Sequence, residues 1–583
     1  MRQAAPVVSI LAASIMAGCS ESVRFVDGGD IQPTATEFTN PVTVLFVGID
    51  GTLLDDTDIT FTLSGGQADE LFLAGADLED DSYVTSTGTV LLNRSADSSI
   101  NEFEITLTAT ATDYFGNGAV LVFPAESDVE DGEASPAVTI YMTPYSPTTT
   151  DLGITTVADT FTIDSSGLTT EAVTIVTAIP ASTSDNFDEV ANGSAQIEIP
   201  SGTSLLDADG TTLTGTITAN LVYFSNEPNG SDADPSALEA FPGGFAPTSI
   251  LNSSGDVDSS YADAVFISGG FVGIVLTDES GTTVSSFSED VTLTFTVSSD
   301  TINPDTDAAI SAGETIPLWS YSSSTGLWTA EGDASVGTLD SSTDTYTVTA
   351  TTDHLSYYNL DYIGTRCDAT ITFNDSSGLT NYNPTVSFVR DGGGWLQKQV
   401  ISTITEHTFY SLPAENSGTF TVESSGGTDL ISSVSLANGT SVTVTDSTLS
   451  DVTFCELDGA TITLDSSSVT LNELSISLES ICSDSDTTTA QAGVAYVYSS
   501  SPFAYLGTVI PNPDEAGVLE LENGTYDVYG YLVTEDLGSV STNSSVTIDD
   551  AAASLTLSFD LSVCGPTGST GGTGSTGGTG GGS

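Results

Sequence analysis

Apolar residues recur at every second position through most of this chain. The pattern is plain in Asp58-Ile59-Thr60-Phe61-Thr62-Leu63, in Glu102-Phe103-Glu104-Ile105-Thr106-Leu107 and in Ala195-Gln196-Ile197-Glu198-Ile199. It returns in Val291-Thr292-Leu293-Thr294-Phe295-Thr296-Val297. A period of two puts alternate side chains on opposite faces of a sheet, and no sustained 3.6-residue stripe competes with it. Val, Ile, Phe, Tyr and Thr are plentiful, which favours strands. Asp50-Gly51 and Asp207-Ala208-Asp209-Gly210 supply turn chemistry. The 583 residues exceed what one sheet core can use; roughly 100–150 residues per domain implies about four or five units. The expected fold is all-β: tandem β-sandwich domains in an elongated multidomain chain.

Charge limits the partners. The chain carries 80 acidic against 6 basic residues, a net −74. Such a surface repels phosphates and anionic lipid, so no nucleic-acid partner is expected. Its self-repulsion calls for salt or divalent cations.

The first residues, Met1-Arg2-Gln3, are followed by a short apolar run from Ala4 to Met16. A positive start, an apolar core and small residues make an export signal, too short to span a bilayer comfortably. Met16-Ala17-Gly18-Cys19-Ser20 resembles the bacterial lipobox, with Met16 where that motif usually has Leu. The resemblance implies cleavage before Cys19, lipid on Cys19 and a membrane as partner; acyl chains there anchor a protein stably. Ser20 resembles the residue that passes such proteins to the outer membrane. An outer-membrane lipoprotein facing the cell surface, or the periplasm, is the expected location.

The map that follows has a signal peptide at 1–18 and a tether at 19–41. Further units are a β-sandwich at 42–146, a β-rich module at 147–364, and β-sandwiches at 365–458 and 459–564. Residues 565–583 are Gly, Ser and Thr with one Pro and read as a disordered tail. In the central module, Ile316-Pro317-Leu318-Trp319-Ser320-Tyr321 precedes Thr325-Gly326-Leu327-Trp328. His354-Leu355-Ser356-Tyr357-Tyr358-Asn359-Leu360-Asp361 closes it. These blocks resemble, in order, an extracellular module of cartilage intermediate layer protein and related bacterial surface proteins, with Tyr358 where Trp is commoner. The resemblance implies a scaffold or matrix role.

Cys367 and Cys455 bracket one C-terminal unit; Cys482 and Cys564 bracket the next at a similar separation. Ser417-Gly418-Thr419-Phe420-Thr421-Val422 in the first has a counterpart in Asn523-Gly524-Thr525-Tyr526-Asp527-Val528-Tyr529, so the units read as an internal repeat. Residues 42–143 are a candidate third copy. Each unit resembles transthyretin-like, carboxypeptidase-regulatory sandwiches. In an oxidising compartment the bracketing pairs are expected to bond; Cys455–Cys482 is the rival pairing.

Catalysis is not expected. The two histidines, His354 and His407, lack a partner histidine at metal-ligand spacing, and no G-x-S-x-G or P-loop motif occurs. His354 reads as structural. Calcium is the candidate cofactor, because it takes hard oxygen ligands. Asp77, Glu79, Asp80 and Asp81 form one candidate cluster, and Asp128, Glu130, Asp131 and Glu133 another; both also read as solvated loops. Asp207 with Asp209 reads rather as a hairpin turn. Trp319, Tyr321 and Trp328 read as packing residues. Trp395, after Gly392-Gly393-Gly394, is the candidate exposed aromatic for a glycan ligand. The expected function is a structural, adhesive or display scaffold. The alternative is a lipoprotein binding a glycan or another ligand, including an extracellular protein, for a polysaccharide-handling system.

Overall fold

The computed structural model describes residues 23–26, 30–33 and 42–561. Within the last span it omits 56, 69–70, 74–81, 95–100, 124–136, 147–152, 178–192, 227–235, 379–381, 402–403, 415, 483–486, 501–502 and 535–537. The described chain is all-β, with sheets stacked in tandem sandwiches. Its helical segments are short 3-10 turns such as Ala237–Ala240 and Phe454–Leu457. Among the described residues no helix is long and apolar enough to cross a membrane. Cys19, both acidic clusters, Cys564 and the 565–583 tail lie outside the described residues. Inside the expected tether, Val23–Val26 and Asp30–Pro33 pair antiparallel, which a purely unstructured spacer would not do.

The alternation seen in the sequence becomes alternation of burial. Along Thr345–His354, Val348, Ala350 and Thr352 point inward while Thr347, Thr349 and Thr351 are exposed. Ala264–Asp278 instead reads as a near-continuous apolar run and is buried on both faces. Val265, Ile267, Val272 and Leu276 enter one core, and Ala264, Phe266 and Phe271 enter another.

Turns repeat one design. Asp164, Asp207, Asn252 and Asp278 each open a tight loop in which a glycine three residues on (Gly167, Gly210, Gly255, Gly281) takes φ between 75° and 83°. Each glycine N–H donates back to the opening residue's carbonyl at 2.9–3.0 Å. A side chain in that backbone region would be strained, so glycine is required there. The opening side chain accepts main-chain N–H groups; Asp207 takes those of Asp209 and Thr211 at 3.0 and 2.7 Å. Asp207 and Asp209 therefore belong to a hairpin turn, and part of the acidic surplus serves as turn caps.

Three units share a strand order. In residues 42–146 one sheet runs Tyr83–Thr85, Ile59–Ser64, Phe103–Ala111, Asn117–Phe123. The unit containing the Cys367 bond has Leu396–Val400, Thr385–Arg390, Ser417–Glu423, Leu449–Thr453. The last unit has Phe503–Val509, Val494–Ser500, Gly524–Thr534, Gly538–Ile548. In all three the opening strand also runs parallel to a late one: Val44 beside Val138, Thr372 beside Thr461, Leu474 beside Ala553. The repeat read between Ser417-Gly418 and Asn523-Gly524 is thus one topology used three times.

The units are not separated as a string. Strand Tyr357–Asp375 runs through the expected 364/365 boundary. Its first half pairs with Ala264–Asp278, and its second half with Glu406–Pro413 and Thr461–Leu464. Sixteen strands therefore join one hydrogen-bonded set. The last unit also packs back on the first, where Leu45, Val47 and Leu53 meet Val494, Tyr496 and Tyr498. The tandem all-β arrangement expected from sequence is present; the contact between the end units is an addition to it, because sequence alternation says nothing about which sheet faces meet.

Candidate functional site: a buried polar centre at a junction of two units

Ser268, Asn359 and Asp361 sit side by side on adjacent strands, on the face filled by Phe266, Phe271, Trp319, Trp328 and Tyr357. An extra residue in Ser268-Gly269-Gly270-Phe271 shifts the register opposite Asn359–Asp361 and turns the Ser268 side chain toward Asp361. The Gly270 N–H donates to Ser268 Oγ at 3.1 Å. Asn359 and Asp361 are both 0% exposed. The indole N–H of Trp319 donates to the Asp361 carbonyl at 2.9 Å.

Burial holds the Asp361 carboxyl well above the ordinary carboxylate range; Ser268 and Asn359, beside it, oppose the rise. Both carboxyl oxygens of Asp361 and both polar atoms of the Asn359 amide are buried without a formed hydrogen bond. An ionised carboxylate in such surroundings is very unfavourable, which favours the protonated form of Asp361.

The next unit locks onto this bulge through Gly392-Gly393-Gly394, whose φ angles are 79°, 75° and 79°. Ser268 N–H donates to the Gly394 carbonyl at 2.8 Å, and Gly394 N–H to that of Asn226 at 2.6 Å. A Cβ on Gly394 would stand 2.4 Å from the Ser268 carbonyl oxygen. Only glycine permits that approach. Arg390 is buried beneath the loop and donates from Nη1 to the Gly393 carbonyl at 2.8 Å. Burial lowers its pKa, and Asp307 and Asp391 oppose the shift.

This docking corrects the reading of Trp395. The triple glycine looked like a free loop, but it is a contact surface, and Trp395 is 1% exposed. Its ring packs against Phe245 and Phe454 at centroid distances of 6.3 and 5.6 Å. It presents no face on which a sugar ring could stack. Trp319, Tyr321 and Trp328 are likewise buried.

Cys367 and Cys455 are bonded, with Cα atoms 6.1 Å apart and a sequence separation of 88. The bond ties strand Tyr357–Asp375 to the turn Phe454–Leu457. The Cys482–Cys564 pairing falls outside the described side chains, though the strand ending at Cys482 runs beside Leu561. Among the described residues no group of three or more His, Cys, Asp or Glu could hold a metal. His354 bridges Thr352 Oγ1 (3.3 Å) and Glu331 (3.5 Å). Glu331 accepts from Ser320 Oγ at 2.6 Å, and Thr352 shares a 2.7 Å hydrogen bond with the Tyr358 hydroxyl. The network ties neighbouring strands together. A polar depression lined by Pro200, Ser201, Gly202, Ser288, Glu289 and Asp290 includes none of these residues.

No protein-family model matches the chain, and no curated protein does. Among solved structures it is similar to the Bacillus anthracis TIE protein, at 8% identity and a TM-score of 0.13, covering 70% of this chain and 58% of that one. It is similar to GBS52, the minor pilin of Streptococcus agalactiae, at 10% and 0.14, covering 33% and 95%. It is also similar to BcpA, the major pilin subunit of Bacillus cereus, at 9% and 0.14, covering 90% and 99%. The chain thus spans 58% of the length of the Bacillus anthracis protein. At these identities and scores the likeness assigns neither family nor function.

Proposed function

We propose that this chain is a cell-envelope lipoprotein, held by lipid on Cys19, that works as a structural, adhesive or display scaffold and not as an enzyme. One observation carries the reading: buried aromatic side chains join neighbouring units. Trp395, Phe245 and Phe454 form one junction. Phe115 with Tyr145 and Tyr357 forms another, between the first unit and the central module. These two buried junctions hold the first unit, the central module and the unit after it in fixed relation, which suits a body that presents what it carries. The disulfide fits an oxidising compartment. Acidic turns cover the outside and favour solubility in a saline setting.

The test combines fatty-acid labelling with protease shaving of intact cells. Wild type should take up label and be shaved; Cys19→Ala should lose the label. Recovery of unlabelled wild-type chain from the cytosol, with Cys367 and Cys455 reduced, overturns the proposal.

A further inference from the structure

The seam between the first and last units opposes an apolar attraction to a like-charge repulsion. Leu45, Val47 and Leu53 of the first unit pack against Val494, Tyr496 and Tyr498 of the last. Tyrosine rings line the patch: Tyr496 meets Tyr531 at 5.7 Å, and Tyr498 meets Tyr529 at 5.5 Å, both edge to face. Thr89 Oγ1 donates to the Tyr531 hydroxyl across the seam. The two bodies so joined are both strongly acidic. Residues 42–146 carry 19 acids and one arginine; residues 472–561 carry 14 acids and no basic residue. At the rim, burial raises the pKa of the Tyr529 hydroxyl, and Asp55 of one unit and Asp527 of the other add to the rise.

We propose that this seam is a clasp operated by ionic strength, closed in salt and open at low salt, with the last unit as the moving part. Its attraction is apolar and nearly indifferent to salt, whereas the repulsion depends on screening. The Debye length falls from about 30 Å at about 0.01 M to about 8 Å at about 0.15 M, so the repulsion between whole units dwindles while the tyrosine contact stays. The last unit retains its own core, Leu474 to Phe559, when it swings away. Its contacts with the neighbouring unit, Ser424 Oγ to Glu522 at 2.7 Å and the bridge between Tyr382 and Glu520, form the pivot. Opening uncovers the tyrosine face of Val494–Ser500 and Gly524–Thr534, so salt controls whether that face is presented.

The experiment is small-angle scattering of the full chain in sodium chloride from about 0.01 M to about 1 M, with circular dichroism and tyrosine difference absorbance on the same samples. The expected result is a larger radius of gyration and more solvent-exposed tyrosine at low salt, with the β signal unchanged. Asp55→Asn with Asp527→Asn should close at lower salt than wild type, because one acid is removed from each unit beside Tyr529. A radius that does not change with salt overturns the proposal. So does expansion accompanied by loss of β signal, or a double variant whose midpoint matches wild type.

Discussion

Trp319 donates its indole N–H to the main-chain carbonyl of Asp361, 2.9 Å away, while the carboxyl of that same aspartate is buried in the aromatic core. One residue thus satisfies a tryptophan with its backbone and adds an acidic side chain to an apolar layer.

That carboxyl makes stability depend on pH. Its folded pKa is raised by burial, so its contribution is complete below the ordinary carboxylate range. It is lost as pH rises toward the folded value, because the unfolded chain ionises first. Asp361→Asn keeps the shape of the protonated acid and removes the titration. Melting of both proteins from about pH 4 to about pH 8 should show the variant gaining on wild type as pH rises. A constant difference refutes the assignment.

The glycine loop is testable by a single methyl group. Gly394→Ala combines a left-handed backbone with a Cβ 2.4 Å from the Ser268 carbonyl. It should cost about 1–3 kcal/mol for the backbone alone, and more for the displaced loop. Gly210→Ala, with φ 75° and nothing within 4 Å of its Cβ, isolates the backbone part at about 1 kcal/mol. Denaturant unfolding followed by tryptophan fluorescence compares them; equal losses would show that the close approach is unimportant.

Truncating the buried indole should act on stability and not on binding. Trp395→Ala should cost about 3–5 kcal/mol and leave any glycan-array profile as in wild type. A loss of glycan binding without loss of stability contradicts the burial described above.

Reduction of the Cys367–Cys455 bond frees an 88-residue loop. The chain-entropy model gives a loss of about 4–5 kcal/mol. Urea unfolding of wild type and Cys367→Ser with Cys455→Ser, each with and without reductant, measures it. Reductant should leave the double variant's transition for this unit in place; an equal shift in both proteins would show that this bond is not the source.

The acid side of the profile belongs to the turns. Hydrogen bonds from Ser280, then Thr282, lower the pKa of Asp278. Its stabilising contribution is therefore present above the ordinary carboxylate range and lost as pH falls through the depressed value. Asp278→Ala should narrow its stability gap to wild type as pH drops below about 4; a gap independent of pH would contradict the capping role.

Several features were legible before any coordinates. Strands such as Ile59–Ser64 and Phe103–Ala111 follow from alternation, and the turn at Asp207 from an acid followed by glycine. The Cys367–Cys455 pair and the kinship of the Ser417 and Asn523 passages came from spacing and local likeness. Trp395 was misread because three glycines signal backbone freedom, and that freedom serves equally for solvent exposure or for close docking. No local pattern marked Ser268, Asn359 and Asp361 as one centre. Asn359 and Asp361 stand together in the closing block, but Ser268 lies 91 positions before Asn359, and a polar residue in a strand ordinarily faces solvent.

By itself the sequence determined the sheets, their turns and the acidity, since each is set by neighbours a few residues away or by composition. Only tertiary structure decided that strand Tyr357–Asp375 would serve two units, that Gly394 would press on Ser268, and that Tyr496 would meet Leu45. Alternation assigns each side chain a face but leaves the opposing face unspecified. That choice is made by shape and burial summed over residues hundreds of positions apart.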